Sequence, residues 1–164
     1  MKVAKPVFPP VKAGDPALRW KFKDAGAKLL VNESSIIHIQ QNFSLTLIGT
    51  DDFWTGSTEF PTSSFSKSHY KILLSHNPDG VPYLMNRGAK FDLALCGHTH
   101  GGQIKLPFLG AIMHNCRDAR FREGHFHGED FSVYTSRGIG SVEIPFRVNC
   151  PPEVTLITLK SLAI

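Results

Sequence analysis

A chain of 164 residues is long enough for one domain with its own core, and 41% hydrophobic with 20% charged residues is ordinary for a soluble globular protein. The formal net charge of +4 favours anionic partners such as phosphate esters, but the basic residues are scattered, so nucleic acid is not expected as a partner. No window approaches the ~18 consecutive apolar residues of a membrane span, and the three cysteines are too unevenly spaced for a disulfide framework. We therefore expect, by default, a cytoplasmic protein with buried thiols.

The first predicted elements are an arm, a helix and three strands. Residues 1–14 are rich in Pro and Lys and predict an extended or poorly ordered arm, whereas residues 15–164 are predicted to form the domain. Asp15-Pro16 is typical of a helix cap followed by proline at the first helical position, and Gly26 is a stop signal, which predicts a short helix. Strands are predicted next at residues 28–32, 35–40 and 44–50, followed by a loop at residues 50–68.

A strand, a helix and a second strand follow in the middle of the chain. Residues 70–75 form the predicted first strand, Asn77-Pro78 and Gly88 bracket the helix, and residues 91–96 form the second strand. Strands joined by a helical crossover lie parallel and therefore end at the same edge of the sheet. In open α/β sheets this carboxyl edge is where ligands bind.

Three histidines are placed at that edge by the predicted topology. His76 leaves the first strand, and His98 and His100 leave the second strand on a loop that is rich in glycine. A neutral imidazole nitrogen is a common ligand of divalent metals, and histidines two positions apart on a loop can aim at one pocket from both sides. We predict these three residues as metal ligands. The alternative that the sequence leaves open is a purely structural role.

The rest of the chain offers weaker signals. Asp51-Asp52 follows a predicted strand and is interpreted either as a carboxylate pair lining a site or as a solvated turn. The GHFHG stretch at residues 124–128 has no apolar strand before it, so we predict a surface turn or hairpin. Residues 104–110 are predicted to be a loop, and strands are predicted at residues 132–136 and 154–159. No pattern indicates a catalytic nucleophile, and no catalytic residue is assigned.

Four stretches together carry a family likeness. They are SHNP at residues 75–78, DLALCGHTHGGQI at residues 92–104, SRGIG at residues 136–140 and PPEVTL at residues 151–156. They resemble the C-terminal half of calcineurin-like metallophosphoesterases, most closely the bacterial branch with a GHTHGGQ signature. The resemblance implies an α/β/β/α sandwich with two divalent metals such as Mn, Fe or Zn, phosphate-ester substrates that include lipid-linked ones, and membrane association in some members.

Within the resemblance each histidine has an implied role. His76 and His98 match ligands of one metal, and His100 matches a ligand of the other. The family's D-x-H, G-D-x-x-D and G-N-H-D motifs, which supply a bridging aspartate, an asparagine ligand and a histidine for the leaving group, do not occur in the sequence. We therefore expect an α/β fold that is an incomplete α/β/β/α sandwich without its N-terminal half, which would then be a partner.

The ligand inventory limits what the chain can do alone. Three neutral histidines can hold one borderline ion such as zinc, but without a carboxylate bridge they cannot hold two ions ~3.5–4 Å apart. At most one metal ion is therefore expected in this chain. The prediction is a metal-dependent phosphoesterase by resemblance, truncated and inactive alone. The alternative is a non-catalytic α/β module that binds one ion or none.

Overall fold

The computed structural model describes residues 16–40, 43–61, 70–113 and 115–160. The predicted arm at residues 1–14 and the Asp15 cap lie outside the described residues. Helix α1 (Pro16–Asp24) confirms the first predicted helix. It ends where predicted, because Gly26 adopts a left-handed φ of +74° and donates its N–H to the carbonyl of Lys23 at 2.9 Å.

Eight strands are described, and six of them form one sheet. In chain order they are β1 (Glu33–Gln40), β2 (Phe43–Gly49), β3 (Tyr70–Leu74), β4 (Leu93–Cys96), β5 (Lys105–Leu106), β6 (Gly110–Ala111), β7 (Gly124–His127) and β8 (Ser132–Thr135). The main sheet has the order β1-β2-β3-β4-β8-β7, in which β2, β3, β4 and β8 run parallel and the two outer strands are antiparallel to their neighbours. Strands β5 and β6 form a separate hairpin.

The parallel centre of the sheet confirms the predicted strand–helix–strand unit. Helix α2 (Gly80–Met85) connects β3 to β4, and its Val81 and Leu84 are buried. Each of the four parallel strands contributes one fully buried apolar residue to the core, namely Ile48, Leu73, Ala94 and Val133. This packing fixes the central strands, so their carboxyl ends meet at one edge, and the fold agrees with part of the expected α/β/β/α sandwich.

Two predicted strands are wrong. Residues 28–32 form no strand; Leu30 instead packs against the end of β2, where a Cβ placed on Gly49 would lie 2.4 Å from the Leu30 Cβ. Residues 154–159 form no regular element and pair with no strand within the described part of the chain. Alternating apolar residues are not sufficient for a strand, because a strand also needs a neighbour with free backbone groups.

Two segments after β4 contain short strands that the sequence predicted only in part or not at all. The predicted loop at residues 104–110 contains the β5–β6 hairpin, whose two-residue strands are too short to show a periodicity. The first four residues of the GHFHG stretch form β7, which makes a hairpin with β8, one of the two predicted forms. No helix within the described ranges is long and apolar enough to cross a membrane.

Candidate metal site

His76 and His98 lie side by side at the carboxyl edge of the sheet. His76 follows β3 after Ser75, and His98 follows β4 after Gly97. The parallel ladder continues past both strands, since the Gly97 N–H donates to the His76 carbonyl at 3.0 Å. The two imidazole ring centroids are 5.2 Å apart, with an interplanar angle of 80°. The predicted meeting of residues from the two strands therefore occurs for this pair, although they are far apart in sequence.

The His98 imidazole is held in an unusual environment. Its Nε2 atom is buried and has no hydrogen-bond partner among the described residues. A buried polar atom without a partner costs about 1–3 kcal/mol, so such an atom needs an explanation. Burial, together with the nearby charges of His76 and His100, lowers the pKa of His98, although Asp52 opposes this in part. A lowered pKa keeps the imidazole neutral, which is the form that binds metals.

The loop after β4 has a strained backbone. His98, His100 and Gln103 have φ values of +68°, +51° and +51°, which non-glycine residues rarely adopt. Each such residue costs of order 1–3 kcal/mol, and residues of this kind cluster at functional sites. At Gly101 a Cβ would lie 2.6 Å from the Arg137 side chain and 2.9 Å from the Cys150 sulfur, so only glycine fits there.

Gln103 ties the same loop to a distant segment. Its side chain is fully buried, its Nε2 donates to the carbonyls of Val142 and Ile144 at 3.0 and 2.9 Å, and its Oε1 accepts from the Val142 N–H at 2.8 Å. The Gln103 amide thus hydrogen-bonds the backbone of residues 142–144 in the way that a neighbouring strand would. The sequence motif contains this glutamine, but nothing in the sequence showed where its amide would bind.

His100 has different neighbours from the other two histidines. Its Nδ1 lies 3.3 Å from the Gly140 carbonyl and 3.3 Å from a guanidinium nitrogen of Arg147. The carbonyl requires a proton on Nδ1 and the guanidinium requires a lone pair, so a given tautomer makes only one of these hydrogen bonds. Arg147 also donates to the His100 carbonyl at 3.1 Å and to the Arg137 carbonyl at 2.7 Å. This arginine therefore fixes the His100 side of the loop.

Comparisons with known proteins identify relatives of this chain. No family model and no solved structure matches the chain. The chain is 37% identical over 138 residues to phosphodiesterase YaeI of Escherichia coli, which covers 84% of this chain and 49% of that protein. It is 33% identical over 132 residues to the uncharacterized metallophosphoesterase YkuE of Bacillus subtilis, over 79% of this chain and 46% of that protein. Over about four fifths of its length the chain is thus homologous to metallophosphoesterases.

A third relative carries a more specific name. The UDP-2,3-diacylglucosamine pyrophosphatase LpxG of Chlamydia trachomatis is 28% identical over 141 residues, covering 79% of this chain and 40% of that protein. The chain thus spans about half the length of the curated metallophosphoesterases it matches. These similarities confirm the predicted resemblance to metallophosphoesterases.

The divalent metals that the metallophosphoesterase family implies can be tested against the residues present. Within the described ranges no group of three or more His, Cys, Asp or Glu side chains could hold a metal ion. The described residues therefore do not fit a two-metal centre, which needs a bridging carboxylate. His76 and His98 could together supply two imidazole nitrogens to a single borderline ion, and the His98 Nε2 has no other partner among the described residues.

Asp51 and Asp52 support a turn next to this pair. The Asp52 Oδ1 accepts from the N–H of Trp54 at 3.0 Å, from the N–H of Thr55 at 2.7 Å and from the Thr55 hydroxyl at 2.8 Å. Burial on its own raises the pKa of Asp52, but these hydrogen bonds and the charge of His76 outweigh it and lower the pKa. The contacts are those of a capped turn, one of the two sequence interpretations, and they bring a negative charge near the histidines.

The cysteines are buried and unpaired, as predicted from their spacing. Burial raises the pKa of Cys96 to about 12, and burial together with Asp79 raises the pKa of Cys116 to about 12. Both thiols are therefore protonated at neutral pH, and a protonated thiol is a poor nucleophile. A cavity of about 780 Å³ lies at the opposite edge of the sheet, among Lys71, Phe91 and Phe131, and contains none of the three histidines.

A partly buried ion pair between Arg137 and Glu153 lies next to the glycine loop. Glu153 accepts from the Tyr134 hydroxyl at 2.6 Å and from the Arg137 Nε at 2.7 Å, and the aliphatic part of Arg137 packs over Gly101. The Tyr134 hydrogen bond, followed by those of Arg137 and Thr155, lowers the pKa of Glu153 to about 2 against the opposing effect of burial. The ionised carboxylate is thus stabilised in the folded chain.

Glu153→Gln should lower the free energy of unfolding at neutral pH by about 1 kcal/mol, since charge-assisted hydrogen bonds become neutral ones. Because the folded pKa of Glu153 lies below its ordinary value of 4.5, its contribution is present above about pH 4.5 and is lost as the pH falls toward about 2. Urea unfolding of both proteins across this range should show the difference shrinking with acid. A difference that does not change with pH would contradict the assignment.

Proposed function

We propose that the chain carries part of a metal-dependent phosphoesterase site, in which His76 and His98 hold one divalent ion. The observation that carries the proposal is the buried Nε2 of His98, which has no partner among the described residues and belongs to a ring 5.2 Å from that of His76. A bound ion would act as a Lewis acid on a phosphoryl oxygen. The two residues' own task is to present neutral nitrogens from two adjacent strands.

The proposed substrates are phosphodiesters or phosphomonoesters, including lipid-linked ones. Support comes from the names of the relatives, which include a phosphodiesterase and a pyrophosphatase that acts on a diacylated sugar nucleotide. His100 is proposed as a ligand of a second ion only when groups from outside the described residues complete that site. The net charge of +4 favours an anionic ester.

The chain alone is proposed to lack turnover. The support is that no cluster of three metal-ligating side chains occurs in the part of the chain that the structure describes. The same observation favours the second candidate function, a non-catalytic α/β module that binds one ion or none. The two candidates differ in whether His76 and His98 bind an ion at all and in whether hydrolysis appears when further parts of the domain are supplied.

The test is a cobalt titration of the purified chain by calorimetry. His125 and His127, whose ring centroids are 6.1 Å apart on β7, should first be replaced by alanine so that this exposed pair cannot bind the ion. In that background we expect no more than one ion per chain, and His76→Ala or His98→Ala should weaken binding by at least about tenfold. His38→Ala, an exposed histidine bonded to Ser44, is the matched control and should leave binding unchanged.

The same preparation serves for a hydrolysis assay. With manganese and bis(4-nitrophenyl) phosphate we expect no turnover by the chain alone. Cobalt binding that is unaffected by His98→Ala would overturn the proposed ion site. Turnover that disappears in His98→Ala would instead overturn the proposed inactivity and show that the chain completes its own site.

A further inference from the structure

An exposed tryptophan lies against His98. Trp54 is 60% exposed, although an indole is a large apolar group that folded proteins normally bury. Its ring centroid is 4.2 Å from that of His98, with an interplanar angle of 87°. The Trp54 ring is thus closer to the His98 ring than the His76 ring is, since the His76 and His98 centroids are 5.2 Å apart. The His98 imidazole is therefore flanked by two rings, and neither holds it by a hydrogen bond.

The turn that carries Trp54 is built to hold it there. The Asp52 carboxylate accepts the Trp54 N–H, and the base of the turn is closed by Asn32, whose Oδ1 accepts from the N–H groups of Asp51 and Glu59 at 2.9 and 3.0 Å. Asn32 also donates to the Ser57 carbonyl at 2.7 Å. These hydrogen bonds define the backbone of the turn from which the Trp54 indole contacts His98.

The two rings around His98 give its imidazole a defined orientation. Its Nε2, the nitrogen proposed for the ion, makes no hydrogen bond among the described residues, and its backbone at φ +68° is strained. A metal-binding histidine must be held in one orientation by groups other than the ion. Edge-to-face packing against an aromatic ring can do this, because such contacts have a preferred geometry.

We propose that Trp54 is a positioning residue for the ion site: its indole holds the His98 ring in place and keeps water from it. The role of Trp54 at an ion site rests on the proposed function, but the protection of the His98 ring from water does not depend on an ion. The sequence showed no role for Trp54, because an aromatic residue in a polar loop has no pattern that points to a partner.

The first experiment measures the shielding without any metal. Diethyl pyrocarbonate acylates accessible neutral imidazoles, and peptide mass spectrometry can compare the rate at His98 with the rate at exposed His76 in the same molecule. We expect slow modification of His98 in the wild type, a rate close to that of His76 in Trp54→Ala, and restored protection in Trp54→Phe. Trp20→Ala is the matched control, since Trp20 is 61% exposed on α1, and it should change nothing.

The second experiment measures the effect on the ion. Trp54→Ala should weaken cobalt binding about tenfold, the lower end for groups that orient a metal ligand, and Trp54→Phe should restore it. Equal modification of His98 in the wild type and Trp54→Ala overturns the inference. A wild type that binds no cobalt overturns the proposed ion site instead, while the modification rates still decide whether Trp54 shields His98. Circular dichroism of each variant checks that the fold is kept.

Discussion

Gly102→Ala is expected to lower the free energy of unfolding by about 2–5 kcal/mol. Gly102 has a φ of +81°, and a left-handed conformation costs an alanine about 1–2 kcal/mol. In addition, its new Cβ would lie 2.4 Å from the Cβ of Ala111 on β6, and overpacking of this kind typically costs about 1–3 kcal/mol. The β5–β6 hairpin therefore packs directly on the loop that carries His98 and His100.

Gly110→Ala is the matched control for this prediction. Gly110 lies on the same hairpin with a φ of +74°, but a Cβ there would meet nothing within 4 Å. It should lose only the conformational part, about 1–2 kcal/mol. Urea unfolding of the two variants separates the effects. Equal losses in both would show that the hairpin does not press on the glycine loop as the structure describes.

Gln103→Leu should cost about 3 kcal/mol while leaving the volume of the side chain nearly unchanged. The substitution removes three hydrogen bonds between the buried amide and the backbone of Val142 and Ile144, and each is worth about 1 kcal/mol net. The segment that these bonds hold should then open locally before the rest of the chain unfolds. Limited proteolysis should accordingly cut near residues 142–146 faster in Gln103→Leu than in the wild type.

Asn149→Gly is the control for the glutamine. Asn149 donates an exposed hydrogen bond from its Nδ2 to the Lys105 carbonyl at 3.0 Å, next to the same segment. Glycine suits the φ of +49° at this position, so the change should cost only about 1 kcal/mol for the lost hydrogen bond. If Gln103→Leu and Asn149→Gly had the same stability and the same proteolysis pattern, Gln103 would not be the residue that fastens residues 142–144 to the glycine loop.

The sequence predicts the centre of the fold well, for a physical reason. The unit from β3 through α2 to β4 combines apolar runs with proline and glycine at its boundaries, and these local signals act over a few residues. The parallel arrangement then follows from the crossover rule, which is why His76 and His98 could be expected at one edge. The adjacency of these two side chains is thus a consequence of topology more than of any motif.

Prediction fails where a neighbour decides the structure. Residues 28–32 have a strand-like composition, but the segment joins no sheet and its Leu30 packs against Gly49. Residues 154–159 have a similar composition but find no strand to pair with in the described part of the chain. Strand formation depends on the partner as much as on the residues themselves. The local sequence shows neither the packing on Gly49 nor the missing partner strand.

The supports of the site are hidden from the sequence for a related reason. Arg147 binds the carbonyl of His100 from 47 positions away, and Gln103 binds that of Val142 from 39 positions away. Every residue has a backbone carbonyl, so the identity of the residue that accepts such a hydrogen bond gives no sign of it in the sequence. Trp54 likewise shows its relation to His98 only in three dimensions. The motif predicts the ligands, whereas the structure shows the contacts around them.

The claim that His76 and His98 share one ion is tested most directly by nuclear magnetic resonance of the histidine rings. Chain labelled with ¹⁵N in the imidazoles, in the background with His125 and His127 replaced by alanine, is titrated with zinc. The account predicts that ring-nitrogen signals of His76 and His98 shift together and stop shifting at no more than one ion per chain. Ring nitrogens of this pair that stay unchanged, or that respond at different zinc concentrations, would contradict a shared ion.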